Sequence, residues 1–253
     1  MGNAPAAGHA LDVLTLLATH PGPMPAGAIG RALGLPRSST YHLLTVLCER
    51  GYVAHLPQER RYGLGPAAWE LGSAYQRQAP LQRYARPMLA RLAERTGRNA
   101  HFAVLHGRDV LYVIEERAPG GPRLVTDVGV RLPAHLTASG LAVLSALPAQ
   151  QIRALFPGRD ALVDRDGRGW PTVSALRREL MATRARGYAL EVDLVTAGFS
   201  SVGCAVLDHT GHPVAGVAVT YPSAEVGAAD EARLADSVAR TTTTLSNLLA
   251  GRS

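Results

Sequence analysis

The sequence predicts an α+β protein: a small helical N-terminal domain ending in a hairpin, a linker helix, and a larger domain of strands bounded by helices. Three observations carry this expectation. The first 65 residues hold three helix-spaced apolar segments followed by two short β-leaning runs. From Asn99 onward the apolar pattern changes to strands, several of them separated by turn residues. The 253 residues suit one or two domains.

The elements follow in order. Residues 9–19, HALDVLTLLAT, have helical apolar spacing and stop at the breaker cluster His20-Pro21-Gly22-Pro23. Residues 26–33, AGAIGRAL, form a short second helix closed by Gly34, a natural C-cap. Pro36 suits the first turn of a third helix, where its missing N–H costs nothing. That helix runs to about Arg50 and ends at Gly51. Tyr52–Leu56 and Arg61–Leu64 flank the turn-like Pro57-Gln58-Glu59 and read as a hairpin. Leu64-Gly65-Pro66 then starts a linker helix over 66–78, and Pro80 separates it from an amphipathic helix over 81–96.

Strands are expected at 101–107 and 109–117, joined through Gly107-Arg108-Asp109. Residues 137–147 and 149–155 are helical in pattern, 156–171 loop-rich, and 172–186 helical up to Gly187. Strands near 188–193, 201–207 and 213–221 follow, the last two joined at Gly211-His212. A helix over 227–250 closes the chain.

Composition is 47% hydrophobic and 18% charged, ordinary for a soluble protein. No apolar run approaches the ~20 residues a membrane span needs, and MGNAPAAGHA does not read as a signal peptide, so a cytoplasmic protein is expected. Cys48 and Cys204 fall in different regions and are expected to be reduced thiols. Net charge is +6, carried by arginine alone because the chain has no lysine. Residues 1–75 hold five Arg against four acids. Residues 76–98 hold six Arg (77, 83, 86, 91, 95 and 98) against Glu94. Residues 99–253 balance at fifteen of each. The excess is thus one short segment, expected to be a solvated face near a dimer interface, with flanking DNA phosphates as the other reading. The basic pI alone is no argument for nucleic acid.

The third helix raises the functional question. Thr40, Leu43, Leu44 and Leu47 lie at i, i+3, i+4, i+7 and make one stripe. Ser38, Tyr41, His42 and Thr45 gather on the other side, with Arg37 and Ser39 at the tip. A short helix, a Gly-containing turn and a helix with a polar N-terminal half match helix-turn-helix geometry, in which the second helix meets base edges in the major groove. The hairpin would be the wing, with Arg60 and Arg61 placed for phosphates.

With these residues in view, the chain resembles the IclR family of bacterial transcription regulators over nearly its whole length. The matching pieces are ALDVLTLLA (10–18), AIGRALGLPRSS (28–39), LLTVLCERGYV (43–53), RYGLGPAAWELG (61–72), VGVRLPAHLTASGLAVLSAL (128–147) and RARGYALEVDLVTAGFSSVGCAVLDHTGHPVAGVAVTYP (184–222). Their order and spacing make the likeness specific. His42 stands where the family commonly has arginine, Leu141 where it has lysine, Ser201 for cysteine, Ala205 for proline and Ala218 for serine. A neutral imidazole lacks arginine's bidentate pair to guanine, so an altered base preference is expected.

The resemblance implies three parts: a winged helix-turn-helix over 1–65, a linker helix over 66–79, and a GAF-like α/β effector-binding domain over 80–253. It implies a pocket between the sheet and the Thr137–Gly140 turn, with Leu132, Ala138, Ser139 and Gly140 on one wall. Glu191 and Ser201 would sit on the sheet, and Ala218 and Thr220 on the last strand. Free N–H groups at the start of the 138–147 helix suit a carboxylate; a plain end capped by Thr137 or Ser139 is the competing reading. Glu191 would repel a carboxylate unless protonated, or accept a ligand hydroxyl.

The expected function is a sequence-specific transcription regulator, a repressor by family habit. It would read a double-stranded inverted-repeat operator and be controlled by a small-molecule effector such as an organic acid. A homodimer or dimer of dimers is expected, since tight specific binding uses two half-sites. Ala67, Ala68, Leu71 and Ala74 on the linker helix could pair across the two-fold axis. A ligand-independent DNA-binding dimer is the second reading, and an enzyme the third. For the enzyme, Ser200, Ser201, Asp164/Asp166 and Glu115/Glu116 are candidates, but no Gly-x-Ser-x-Gly, His-Glu-x-x-His or phosphate loop is present. His101, His106 and His135 are candidate metal ligands, with ordinary structural hydrogen bonds favoured instead. No cofactor is called for.

Overall fold

A computed structural model describes residues 4–78, 80–122, 124, 126–164 and 167–250. The chain divides into two compact units, Met1–Ala79 and Pro80–Ser253.

The first unit opens with α1, Pro5–Thr19, which starts four residues before the apolar spacing because Pro5 sits in its first turn. Next comes α2, Ala26–Leu33, closed by Gly34 at φ 66°. Only glycine adopts that left-handed conformation without strain, so the helix stops there. The third helix, α3, spans Arg37–Glu49. Strands β1 (Val53–Leu56) and β2 (Arg61–Leu64) form an antiparallel hairpin in which His55 faces Tyr62 and their rings stack at 4.6 Å. Met24 bridges to Tyr62 and ties the α1–α2 turn to the hairpin. Val13, Leu17, Ile29, Leu44, Leu47 and Val53 are the buried centre. Helix α4, Pro66–Gln78, completes the unit. On α4 the residues of the expected pairing stripe differ in burial. Ala67 and Ala68 are half-buried, and Ala67 N–H bonds to the Gly51 carbonyl of their own unit, whereas Trp69 and Leu71 are the exposed apolar residues. The side chain of Ala74 lies outside the described residues.

The second unit begins with α5, Pro80–Thr96, and the strands β3 (Asn99–His106), β4 (Asp109–Glu116) and β5 (Arg131–Pro133). Helices α6 (Ala138–Ala146), α7 (Ala149–Leu155) and α8 (Val173–Arg186) follow. Then come β6 (Ala189–Val192), β7 (Phe199–Leu207), β8 (Pro213–Pro222) and α9 (Ala228–Leu249). The six strands form one antiparallel sheet in the order β5-β4-β3-β8-β7-β6. Alternation along the strands sends successive side chains to opposite faces. Phe102, Val202, Cys204, Val206, Val217, Val219 and Tyr221 pack under α5 and α9. The other face carries Ala103, Tyr112 and Ala189 beneath α6 and α8.

Small residues let α6 lie directly on the second face. A Cβ on Gly203 would sit 2.7 Å from the Ala138 carbonyl oxygen, and one on Gly216 would meet Ser139 O at closer than any real contact. Register places Ala205 opposite Gly216 and Gly203 opposite Ala218, so a flat patch of Gly and Ala receives the helix.

Candidate functional site

Two places in the molecule gather the expected functional residues, one in each unit. In the first, Thr40, Leu44 and Leu47 of α3 are buried, and Leu43 is half-buried. Thr40 donates its hydroxyl to the Pro36 carbonyl at 3.0 Å and packs close to Gly30 of α2. These contacts hold the helix by one side. Arg37, Ser38, Ser39, Tyr41, His42 and Thr45 are all exposed on the other. The Arg37 guanidinium lies 5.7 Å from the centre of the Tyr41 ring, within cation–π range. Thr45 donates its hydroxyl to the Tyr41 carbonyl, which leaves only its lone pairs for an outside partner. The face is polar and exposed, offering guanidinium, hydroxyl and imidazole groups of the kind that meet base edges in a groove.

At the hairpin, Arg60 is exposed at the tip with φ 53°, a left-handed backbone that non-glycine residues adopt at a cost. Arg61 is exposed but not free, because its Nη1 donates to the Pro23 carbonyl at 3.1 Å. It braces the wing against the α1–α2 turn and keeps its other N–H groups outward.

In the second unit a cavity lies beside the start of α6. Among its lining residues are Tyr112, Leu124, Thr126, Thr137, Ala138, Glu191, Val195, Phe199, Ser201, Ala218 and Thr220, with His101 at its base. Its volume is about 20 Å³, room for a water or two with the side chains as they stand. Of the eight expected effector residues, Ala138, Glu191, Ser201, Ala218 and Thr220 meet there. Leu132, Ser139 and Gly140 do not. Leu132 on β5 turns into the apolar cluster with Val110 and Leu141. Gly140 is pressed against Ala134, where a Cβ would overlap the Ala134 carbonyl. Ser139 is fully buried over Gly216, with its Oγ 3.5 Å from the Tyr112 hydroxyl.

One N–H group at the start of α6 is already taken. The Thr137 hydroxyl caps α6 by accepting from Gly140 N–H at 3.0 Å, the cap that the sequence offered there. Sequence reasoning missed His101, Tyr112, Leu124, Thr126, Val195, Thr196 and Phe199. Strand alternation could have shown Phe199, two residues before Ser201 on β7, whereas His101 joins through the pairing of β3 with β8, opposite Ala218.

Polar chemistry in the cavity is concentrated and incompletely paired. Ser201 Oγ and Thr220 Oγ1 bond at 2.9 Å. Both ring nitrogens of His101 and the hydroxyl of Thr126 are buried without a partner among the described residues. A buried polar group left unpaired costs roughly 1–3 kcal/mol, so a ligand that supplied partners there would gain by it. Burial, helped by repulsion from Arg117, pushes the His101 imidazole down to about 4, and it is neutral at pH 7. Burial pushes Tyr112 up to about 12.

Glu191 has a task of its own. One carboxylate oxygen accepts Leu194 N–H at 2.7 Å and Val195 N–H at 3.1 Å, stapling the loop that carries Val195 and Thr196 over the cavity. Burial raises its pKa to about 7 against those two hydrogen bonds, which favour the ionised form.

A pH test follows from these shifts. For Glu191 the folded state holds the proton more tightly than the unfolded chain. Its contribution to stability therefore declines as pH rises from about 4.5 to about 7. His101 acts in the opposite sense, with stability gained as pH rises from about 4 to 6.5. The two oppose each other below about 6.5, and Glu191 acts alone above it. The parent's melting temperature should fall between pH 6.5 and 7, and Glu191→Gln should flatten that fall. An unchanged slope would mean that Glu191 titrates as an ordinary carboxylate.

The other candidates are dispersed. His106 bonds to Arg131 and His135 to the backbone of Val163, so neither joins His101. Among the described residues no group of three or more His, Cys, Asp or Glu could hold a metal ion. Ser200 bonds to Ser223 and Ser201 to Thr220, not to a histidine base. Asp166 lies outside the described residues. Cys48 and Cys204 are both free thiols, one in each unit.

Comparison with known proteins adds independent findings. A profile described as the IclR helix-turn-helix domain matches residues 6–57, and one described as bacterial transcriptional regulator IclR C-terminal matches 73–247. The chain is 30% identical over 238 residues to the HTH-type transcriptional regulator BhcR of Paracoccus denitrificans, covering 94% of this chain and 84% of that one. It is 26% identical over 218 residues to the acetate operon repressor of Salmonella typhimurium, covering 85% and 79%. Among solved structures, an IclR homolog from Microbacterium hydrocarbonoxydans complexed with 4-hydroxybenzoate superposes with a TM-score of 0.80. The identity is 20%, and the match covers 97% of this chain and 99% of that one.

Proposed function

Because the chain belongs to the IclR family of bacterial transcriptional regulators, we propose that it is a sequence-specific DNA-binding repressor whose operator affinity is set by a small molecule bound in the cavity beside α6. The observation that carries the DNA-binding part is the sidedness of α3. Its apolar stripe is consumed by the first unit, while Arg37, Ser38, Ser39, Tyr41, His42 and Thr45 are left outward. The first unit is almost neutral in sequence, so few phosphate contacts are available to one copy. Two copies on an inverted repeat supply what one lacks, and a homodimer or dimer of dimers is the working form. It works in the cytoplasm, where its operator is; no described helix is long and apolar enough to cross a membrane.

The unpaired polar atoms of His101 and Thr126 support an effector role for the cavity, since a ligand would complete their hydrogen bonds. At about 20 Å³ the space must open to admit one. The loop carrying Val195 and Thr196 is held to β6 by the Glu191 carboxylate, and releasing it would open the space. Binding then biases the equilibrium between conformations of the regulator and hence its affinity for DNA. The unit serves as a sensor rather than an enzyme.

The test is a gel shift with the intergenic DNA beside the protein's own gene. Binding should be saturable, salt-dependent and competed by that sequence alone; equal affinity for random duplex would sink the sequence-specific reading. Within that assay, His42→Ala should change base preference at one position per half-site by ~1–3 kcal/mol. If the preference is untouched, His42 reads no base.

A further inference from the structure

We infer that the groove between α5 and α9 is a second ligand site, separate from the cavity beside α6, and that it takes a small phosphate-bearing anion of two or more negative charges. The sequence placed nearly all the net charge on 76–98, and the structure divides those arginines by role. Arg86 pairs with Glu116 on β4, and Arg98 with Glu225. Arg91 and Arg95, one turn apart on α5, instead line the groove together with Arg240 of α9. Met88, Thr241 and Thr244 complete its lining, and its volume is about 320 Å³, within the range of small-molecule sites.

Among the described residues no carboxylate pairs with these three guanidiniums. Of the three acids of α9, Asp230 pairs with Arg233 and Glu231 accepts from the Tyr188 hydroxyl, while Asp236, one turn before Arg240, makes no ion pair with it among the described residues. Arg240 makes one polar contact, from Nη2 to the Ser237 hydroxyl at 3.1 Å. The hydroxyls of Thr241 and Thr244 donate to the backbone carbonyls of Ser237 and Arg240. Ligand recognition therefore falls to the arginines.

Like charges four residues apart on a helix repel, and a third brought in from α9 adds to that repulsion. Bundling three such groups is unfavourable until an anion sits among them. A guanidinium meets phosphate oxygens with two parallel N–H donors, and three guanidiniums match a charge of two or three better than a monocarboxylate.

The site is tested on the full chain with inorganic pyrophosphate as probe. Pyrophosphate should bind saturably by calorimetry and raise the melting temperature above that in sodium chloride of equal ionic strength. The double variant Arg95→Gln/Arg240→Gln should weaken binding at least tenfold, while its own melting temperature without pyrophosphate equals or exceeds the parent's. A shift that chloride reproduces, or one retained in the double variant, overturns the site. The same variant separates the other sources of phosphate or charge. If its salt slope for binding random-sequence duplex DNA becomes shallower, the arginines hold DNA backbone and the small-molecule assignment fails. If its sedimentation coefficient drops, they pair with acids of a second copy, and the assignment fails again.

Discussion

Gly216→Ala is expected to destabilise the C-terminal unit by about 3 kcal/mol, at or beyond the upper end of ordinary overpacking. The added methyl would meet the Ser139 carbonyl and Cα, both backbone atoms within α6. Flexible side chains can swing away from such a contact; a helix resting on a sheet has to be displaced as a whole. Displacement of α6 would also open the cavity, because Thr137 and Ala138 line it from the same helix end. Chemical denaturation gives the stability change, with Gly227→Ala as control, since a Cβ there meets nothing within 4 Å. If the two variants unfold alike, α6 is not packed backbone-to-backbone on β8.

The second large effect concerns the first unit. Leu44→Ala should cost about 2–5 kcal/mol, the range for emptying a fully buried leucine site. Leu44 is 1% exposed at the middle of a core that holds few large side chains. A unit of this size has little stability to spare, so the loss should melt the three helices and abolish DNA binding. The second unit has its own core and should keep its own unfolding transition. Leu43→Ala, at a half-buried position on the same stripe, should cost less. DNA binding at parental strength in Leu44→Ala would mean that α3 is held by other contacts than the buried stripe.

Much of this was legible in the residues. The helices of the first unit, the hairpin and the linker helix follow from apolar spacing and from Gly34, Pro36 and Gly51, which act within a few residues of themselves. The two sides of α3 were readable for the same reason: helical periodicity alone decides that Thr40, Leu44 and Leu47 share a face apart from Tyr41, His42 and Thr45. The cavity was legible only in part. Strand residues Glu191, Ser201, Ala218 and Thr220 could be placed through a resemblance, but Leu132, Ser139 and Gly140 were placed there too and turn elsewhere. Val195 and Thr196 come from a loop, and Leu124 and Thr126 from the connection after β4, where no periodicity says which way a side chain faces.

By itself the sequence determined most of the helices and strands, though not β5, as well as which face of α3 is apolar and that the charge excess sits on one short segment. All of these are set by spacing along the chain. The tertiary structure alone decided that β3 lies beside β8, so that His101 meets Ala218 at the base of the cavity. It also decided that Glu191 staples a loop, that Thr137 caps α6, and that Arg91 and Arg95 line one groove with Arg240. Each of these depends on a neighbour distant in the chain or on where a loop closes, and the free energy that selects it comes from packing and desolvation of the whole sheet, not from any local preference.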